Sequence, residues 1–164
     1  MTTTIRRAFA DLSVGQVHCA SCGDVDAPPV LLLHGLFSNA DMNWIRFGHA
    51  QRIAEQGYEV LMLDFRVHGD SDTPQDPDKY PTNVLVRDVA ALVDHLALED
   101  YDLGGFSLGA RTSLHATAHG VLQPRHLVVG GMGTAGLGEW HRRAAKRDSA
   151  LALLAPERGL HGPG

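Results

Sequence analysis

The chain has 164 residues, 44% of them hydrophobic and 20% charged, which suits one folded domain and excludes a disordered or fibrous polymer. Its net charge is -5 and fourteen of its nineteen acidic residues are Asp, arguing against nucleic acid or an anionic membrane as main partner and favouring small neutral substrates. The longest apolar runs, such as Val30–Leu33 and Val60–Leu63, are too short to cross a bilayer, and Met1–Arg7 has no apolar stretch behind its arginines, so a cytoplasmic location with no membrane partner is expected.

Taken in chain order, Ile5–Leu12 and Gln16–Ser21 read as two short strands of a hairpin joined at Val14-Gly15. Cys19 and Cys22 form a Cys-x-x-Cys, but no second cysteine pair completes a zinc site, and a redox pair belongs at a helix start rather than in a strand. Two reduced thiols are expected. Pro28-Pro29 then precedes Val30–Leu33, a continuous apolar run that suits a strand buried on both faces of a parallel sheet. Ser38, Asn39 and Asp41 offer N-caps for a helix over Met42–Gln56, with Gly57 as its stop. Tyr58–Leu63 is the next buried strand, and Asp64–Pro81 is a polar loop. A helix over Val84–Leu98, a strand at Tyr101–Gly105, a helix from Ser107 to about His119 and a strand at His126–Val129 follow. This alternation predicts an α/β fold, a mostly parallel sheet with helices on both faces, without internal repeat or second domain.

Chemistry concentrates at Gly105-Phe106-Ser107-Leu108-Gly109, a Gly-x-Ser-x-Gly between an apolar strand and a helix. Such a turn is sharp and crowded, which demands glycine on either side and lifts the Ser107 hydroxyl above the carboxyl edge of the sheet. Ser107 is therefore the expected nucleophile. His34-Gly35-Leu36-Phe37, at the end of the strand beginning at Val30, has the form of a tight turn able to aim backbone N–H groups at a carbonyl oxygen. The expected oxyanion donors are the N–H groups of Leu36, with Phe37 second to it, and Leu108; losing one such donor typically costs about 3 kcal/mol of transition-state stabilisation.

With these motifs in order, the chain resembles the amino-terminal part of an α/β-hydrolase. Asp64-Phe65-Arg66-Val67-His68-Gly69-Asp70-Ser71 is similar to the family's Asp-x-Arg-Gly-x-Gly-x-Ser loop, with Val67 in place of a glycine. Asn43-Trp44, Gly57-Tyr58 and Arg125-His126-Leu127 also resemble common members, and the likeness runs from residue 5 to about 140. It implies acyl transfer from a small ester or thioester to water through a Ser107 acyl-enzyme, with no metal or organic cofactor. A serine at this position excludes the members that use an aspartate nucleophile, among them many epoxide hydrolases and dehalogenases.

The resemblance also requires an acid and then a histidine after the serine, each following a later strand. Only 57 residues follow Ser107, and neither group is found among them. His115 and His119 share a helix face without a third ligand, His126 opens a strand at the wrong edge, and His141 with Glu139 is the least implausible pair. Residues 1–138 carry -7 and residues 139–164 carry +2, so 1–138 are expected to form a partial hydrolase core and 139–164 a basic helix with a loose tail. On this reading the chain is truncated or frame-shifted, and the sheet, incomplete on its C-terminal side, exposes an edge open to self-association. Two alternatives accompany it. One is a catalytically incompetent hydrolase fragment; the other is a dinucleotide-binding module using Gly131, Gly133 and Gly136 of a Gly-x-Gly-x-x-Gly run.

Overall fold

The computed structural model describes residues 3–12 and 15–133. Strands β1 (Arg6–Leu12) and β2 (Gly15–Cys22) pair antiparallel as the expected hairpin, with Arg6 opposite Ser21 and Leu12 opposite Gly15. After them β3 (Pro29–Leu33), β4 (Glu59–Leu63), β5 (Asp102–Phe106) and β6 (Leu127–Gly130) lie parallel to one another. The six strands form one sheet in the order β1-β2-β4-β3-β5-β6.

Register brings the chemistry to one edge. Leu33 stands opposite both Leu63 and Gly105, so β3 and β4 end level, β5 runs one residue further to Phe106, and His34, Asp64 and Ser107 all leave from the same edge. The chain steps from β3 to β4 on one side, then crosses back over β3 to reach β5. Crossovers of one hand must then put their helices on opposite faces, leaving a crevice between the carboxyl ends of β3 and β5.

The two faces explain why the strand sequences are apolar without alternation. Leu31, Leu33, Leu63 and Leu103 point to the face covered by α2 (Val84–His95) and α3 (Leu108–Ala118), where Val86, Val89, Leu92, Val93 and Ala116 are buried. Val30, Leu32, Val60 and Met62 point to the other face, beneath α1 (His49–Ala54) and the turn before it, against Ala40, Ala50 and the half-buried Trp44, Ile45 and Ile53. Burying each Leu or Val here contributes about 1.5–3 kcal/mol.

The single helix expected over Met42–Gln56 is two pieces. Asp41–Ile45 forms one wide turn in which the Arg46 N–H donates to the Asp41 carbonyl, five residues back. Gly48, at φ 75°, then breaks the path before α1 starts. Among the proposed caps it is Asn39 whose Oδ1 accepts the Met42 N–H, at 2.8 Å. The helix expected to reach Leu98 stops at His95. On the outer side β6 pairs only with β5 among the described residues, and Val128 is 70% exposed. No helix among the described residues is long and apolar enough to cross a membrane. The expected division at residue 138, the basic helix, His141, Glu139 and Gly136 all lie outside the described residues.

Candidate active site

Ser107 occupies the turn between β5 and α3 with φ 52° and ψ -107°, a region a serine enters only when its surroundings leave no alternative. Those surroundings are backbone. A Cβ on Gly105 would sit 2.5 Å from the Gly109 carbonyl carbon, and one on Gly109 would overlap the Leu33 carbonyl group. The two glycines therefore let α3 start directly against β3 and β5. Ser107 N–H donates to the Gly130 carbonyl at 2.9 Å, and the Ser107 carbonyl accepts from Arg111 N–H at 3.0 Å, so the backbone on both sides of the hydroxyl is tied. Ser107 Oγ itself has no hydrogen-bond partner among the described residues.

The facing turn is held by side chains. The Phe65 N–H donates to His34 Nε2 at 2.9 Å, so Nδ1 must carry the ring proton, which it gives to the Gly35 carbonyl at 2.7 Å. Burial lowers the His34 pKa, keeping this neutral tautomer in place. Asn43 Oδ1 accepts the Gly35 N–H at 2.7 Å, and Ser38 N–H returns to the Gly35 carbonyl. Between these fixed points no acceptor among the described residues takes the Leu36 N–H, and Phe37 adopts φ 58° with its ring in solvent. Leu108, the first residue of α3, presents one of the N–H groups that a helix start leaves without an internal partner.

Both turns border one cleft of about 330 Å³, lined by Leu36, Ser107, Leu108, Arg111 and Met132 with Gly131 and Gly133. The residues expected to act as nucleophile and donors are thus brought together, and Phe37 is not among the lining. No imidazole or carboxylate lines the cleft among the described residues. His34 has both ring nitrogens engaged. His126 is at the opposite end of β6, bound to Asp102 at 2.9 Å. His115 and His119 stack against each other on α3, ring centroids 4.2 Å apart.

The Asp64 loop supports the site from the side. Asp64 accepts from Ala40 N–H at 2.8 Å and Asp70 N–H at 3.1 Å and bonds the buried His18 at 2.9 Å, tying the exits of β3 and β4 to β2. His18, Asp64 and Asp70 are the group among the described residues that could hold a metal ion, yet a cation there would have to displace these bonds. Arg66 forms a buried two-pronged ion pair with Asp88 of α2 at 2.6 and 2.7 Å and also donates to the Lys79 carbonyl. The Asp88 hydrogen bond raises the Arg66 pKa further. Val67, where the resembling loop has a glycine, adopts φ 60°, a left-handed backbone that is costly for a β-branched side chain.

Cys19 and Cys22 are three apart on one strand, so they face opposite sides of the sheet, Cys19 toward the α2 face and Cys22 toward the α1 face. They cannot share a metal or a disulfide. Burial and the Asp64 charge push the Cys19 thiol up to about 12. Gly131, at φ 68°, is required because a Cβ would press on the Phe106 ring at 2.7 Å, a packing reason for the first glycine of the 131–136 run. A Cβ on Gly133 would meet nothing.

Sequence reasoning missed Arg111, Asp88 and the pinning role of Asn43. Arg111 falls four residues after Ser107, one helical turn on; Asp88 is an acid on the apolar stripe of α2.

The family described as alpha/beta hydrolase fold matches residues 28–150. The chain is 32% identical over 143 residues to 3-oxoadipate enol-lactonase 2 of Acinetobacter baylyi, covering 86% of this chain and 48% of that protein. It is 33% identical over 95 residues to epoxide hydrolase 2 of Siraitia grosvenorii, covering 57% of this chain and 28% of that protein. Among solved structures, the thioesterase domain from the curacin biosynthetic pathway matches with TM-score 0.68 at 21% identity, covering 77% of this chain and 46% of that one. An epoxide hydrolase from Vigna radiata matches with TM-score 0.67 at 25% identity, covering 76% of this chain and 37% of that one. The chain spans less than half the length of each of these four proteins. Motif order, strand order and the match over residues 28–150 agree, and the chain belongs to the α/β-hydrolase fold family.

Proposed function

We propose that the chain carries the nucleophile and oxyanion half of a serine hydrolase acting on a small ester or thioester. The observation that carries the reading is Ser107, held at φ 52° on a crowded strand-to-helix turn with its hydroxyl bordering the cleft. In this reaction Ser107 Oγ attacks the substrate carbonyl carbon and loses its proton to a base. The carbonyl oxygen, now negative, is met by the N–H groups of Leu36 and Leu108, and the positive start of α3 adds to its stabilisation. Collapse expels the alcohol or thiol, which takes the proton, and water releases the acid from Ser107 by the same route reversed. Relatives named esterase, lactonase, thioesterase and epoxide hydrolase share the fold. A serine in place of an elbow aspartate favours the ester and thioester chemistries.

The base has to come from outside the described residues, since no imidazole borders Ser107 among them. That observation favours a second reading, a folded hydrolase fragment that cannot deprotonate its serine. Hydrolysis of p-nitrophenyl acetate by the purified chain, with Ser107→Ala as control, separates the two. Turnover abolished in Ser107→Ala supports the enzyme; folded protein with no turnover above the Ser107→Ala background overturns it for this chain. Self-association through the β6 edge, unpaired among the described residues, belongs to the same proposal, and light scattering on the eluted protein reads it: a dimer disrupted by Val128→Lys is expected, and a monomer at all concentrations refutes it.

A further inference from the structure

Among the described residues the cleft is lined by one charge, and it is positive. Arg111 is the single ionisable side chain among the lining residues, although the chain as a whole is acidic. Its N–H donates to the Ser107 carbonyl, which sets it one helical turn above the serine. Side chains on a helix lean toward its amino end, so the Arg111 side chain leans back over Ser107 and the cleft rather than away from it. Arg7, Arg66 and Arg125 each hold a carboxylate, of Asp41, Asp88 and Asp102. Arg111 holds none among the described residues. Apart from this guanidinium and the Ser107 hydroxyl, the lining side chains among the described residues are apolar or absent, and the start of α3 adds its N–H groups, so the local field favours an anion where the net charge of -5 disfavours one.

We infer that Arg111 is a specificity residue that selects substrates whose non-reacting end carries a carboxylate. This rests on the serine hydrolase reading and narrows it: the guanidinium forks onto the distal carboxylate while the scissile carbonyl lies at Ser107 between the Leu36 and Leu108 N–H groups. The expectation of neutral substrates, drawn from the whole-chain charge, is thereby replaced by a local one. Because Arg111 is exposed, the preference is modest, about fivefold, and weakens with salt.

The test compares two esters of the same acyl length and leaving group, p-nitrophenyl hexanoate and mono-p-nitrophenyl adipate, on the full chain, Arg111→Gln and Arg111→Lys. The adipate ester should be favoured about fivefold in kcat/KM by the unmodified chain, less by Arg111→Lys, and not at all by Arg111→Gln. Binding of adipate and of neutral hexanamide, followed by backbone amide shifts at Leu108, Arg111 and Gly133, is read in parallel and needs no turnover. Adipate shifts lost in Arg111→Gln support the inference even where no ester is cleaved, an outcome that removes the hydrolase reading alone. Equal use of both esters, or a preference unchanged in Arg111→Gln, overturns the role of Arg111 and leaves the hydrolase reading standing.

Discussion

At the exit of β5 the chain turns because nothing larger than hydrogen fits at Gly105 and Gly109, whereas at the exit of β3 it turns because His34 and Asn43 hold it by hydrogen bonds. The difference shows how one cleft can join a wall set by steric contact to a wall set by hydrogen bonds. The serine stands on the first, where strain is enforced by backbone contact. The Leu36 N–H stands on the second, where the neighbouring polar groups are spoken for and its own is left over. In the proposed reaction a donor that meets a developing oxyanion works best when it is held in place beforehand, and the satisfied anchors at His34 and Gly35 do that for the Leu36 N–H.

The largest effect is expected next to the hydrogen-bonded turn, at the β4 exit, where the bonds are charged. Asp88→Ala strands Arg66 in a buried site, and about 3–5 kcal/mol of stability should be lost in urea unfolding; a loss under about 1 kcal/mol would mean that the pair is not holding the β4 exit. The steric side is tested by a matched pair of glycine substitutions. Gly109→Ala drives a methyl into the Leu33 backbone and should cost about 3 kcal/mol, while Gly35→Ala, whose new Cβ meets neighbours at 3.4–3.6 Å, should stay within about 0.5 kcal/mol. Equal costs would erase the distinction between the two turns.

His34 offers a pH test of the hydrogen-bonded side. Its pKa is lowered in the fold, so below the ordinary value near 6.5 the unfolded chain takes up a proton that the native chain refuses. The stabilisation it provides is complete above about 6.5 and is lost as pH falls toward the folded-state value, by at most about 1.4 kcal/mol per pH unit. His34→Gln should therefore be less stable than the parent at pH 7.5, by about 1–2 kcal/mol, with the gap narrowing at pH 5.5. A gap that does not change with pH would contradict the neutral tautomer. The smallest effect is a gain: Val67→Gly removes a β-branched residue from φ 60° and should add about 0.5–1 kcal/mol, read as a raised Tm.

Much of this architecture is legible in the sequence because it is periodic or steric. Val30–Leu33 and Val60–Leu63 are apolar at every position, which only a strand covered on both faces tolerates, and the glycines flanking Ser107 announce a turn with no room for side chains. The break at Gly48 was not legible, since a glycine inside an amphipathic stretch is as compatible with a continuous helix as with a left-handed link. Cys19 and Cys22 illustrate the same limit: their spacing matches a chelating pair, and only placement on a strand sends them to opposite faces. Asp88 and Asn43 act through partners 22 and 8 residues away, Arg66 and Gly35, and no local pattern encodes such pairings. Arg111 was missed because the whole-chain charge averages away a single positive group at a cleft.

The central claim is that Ser107 is the reactive residue of this cleft, and covalent trapping tests it most directly. The full chain is treated with a fluorophosphonate, digested and mapped by mass spectrometry, with Ser107→Ala and Asn43→Ala alongside. The account predicts one adduct, on the peptide containing Ser107, absent in Ser107→Ala and slower to form in Asn43→Ala, where the Gly35 N–H loses its anchor. A folded chain that forms no adduct, or forms it on another residue and equally in Ser107→Ala, would contradict it.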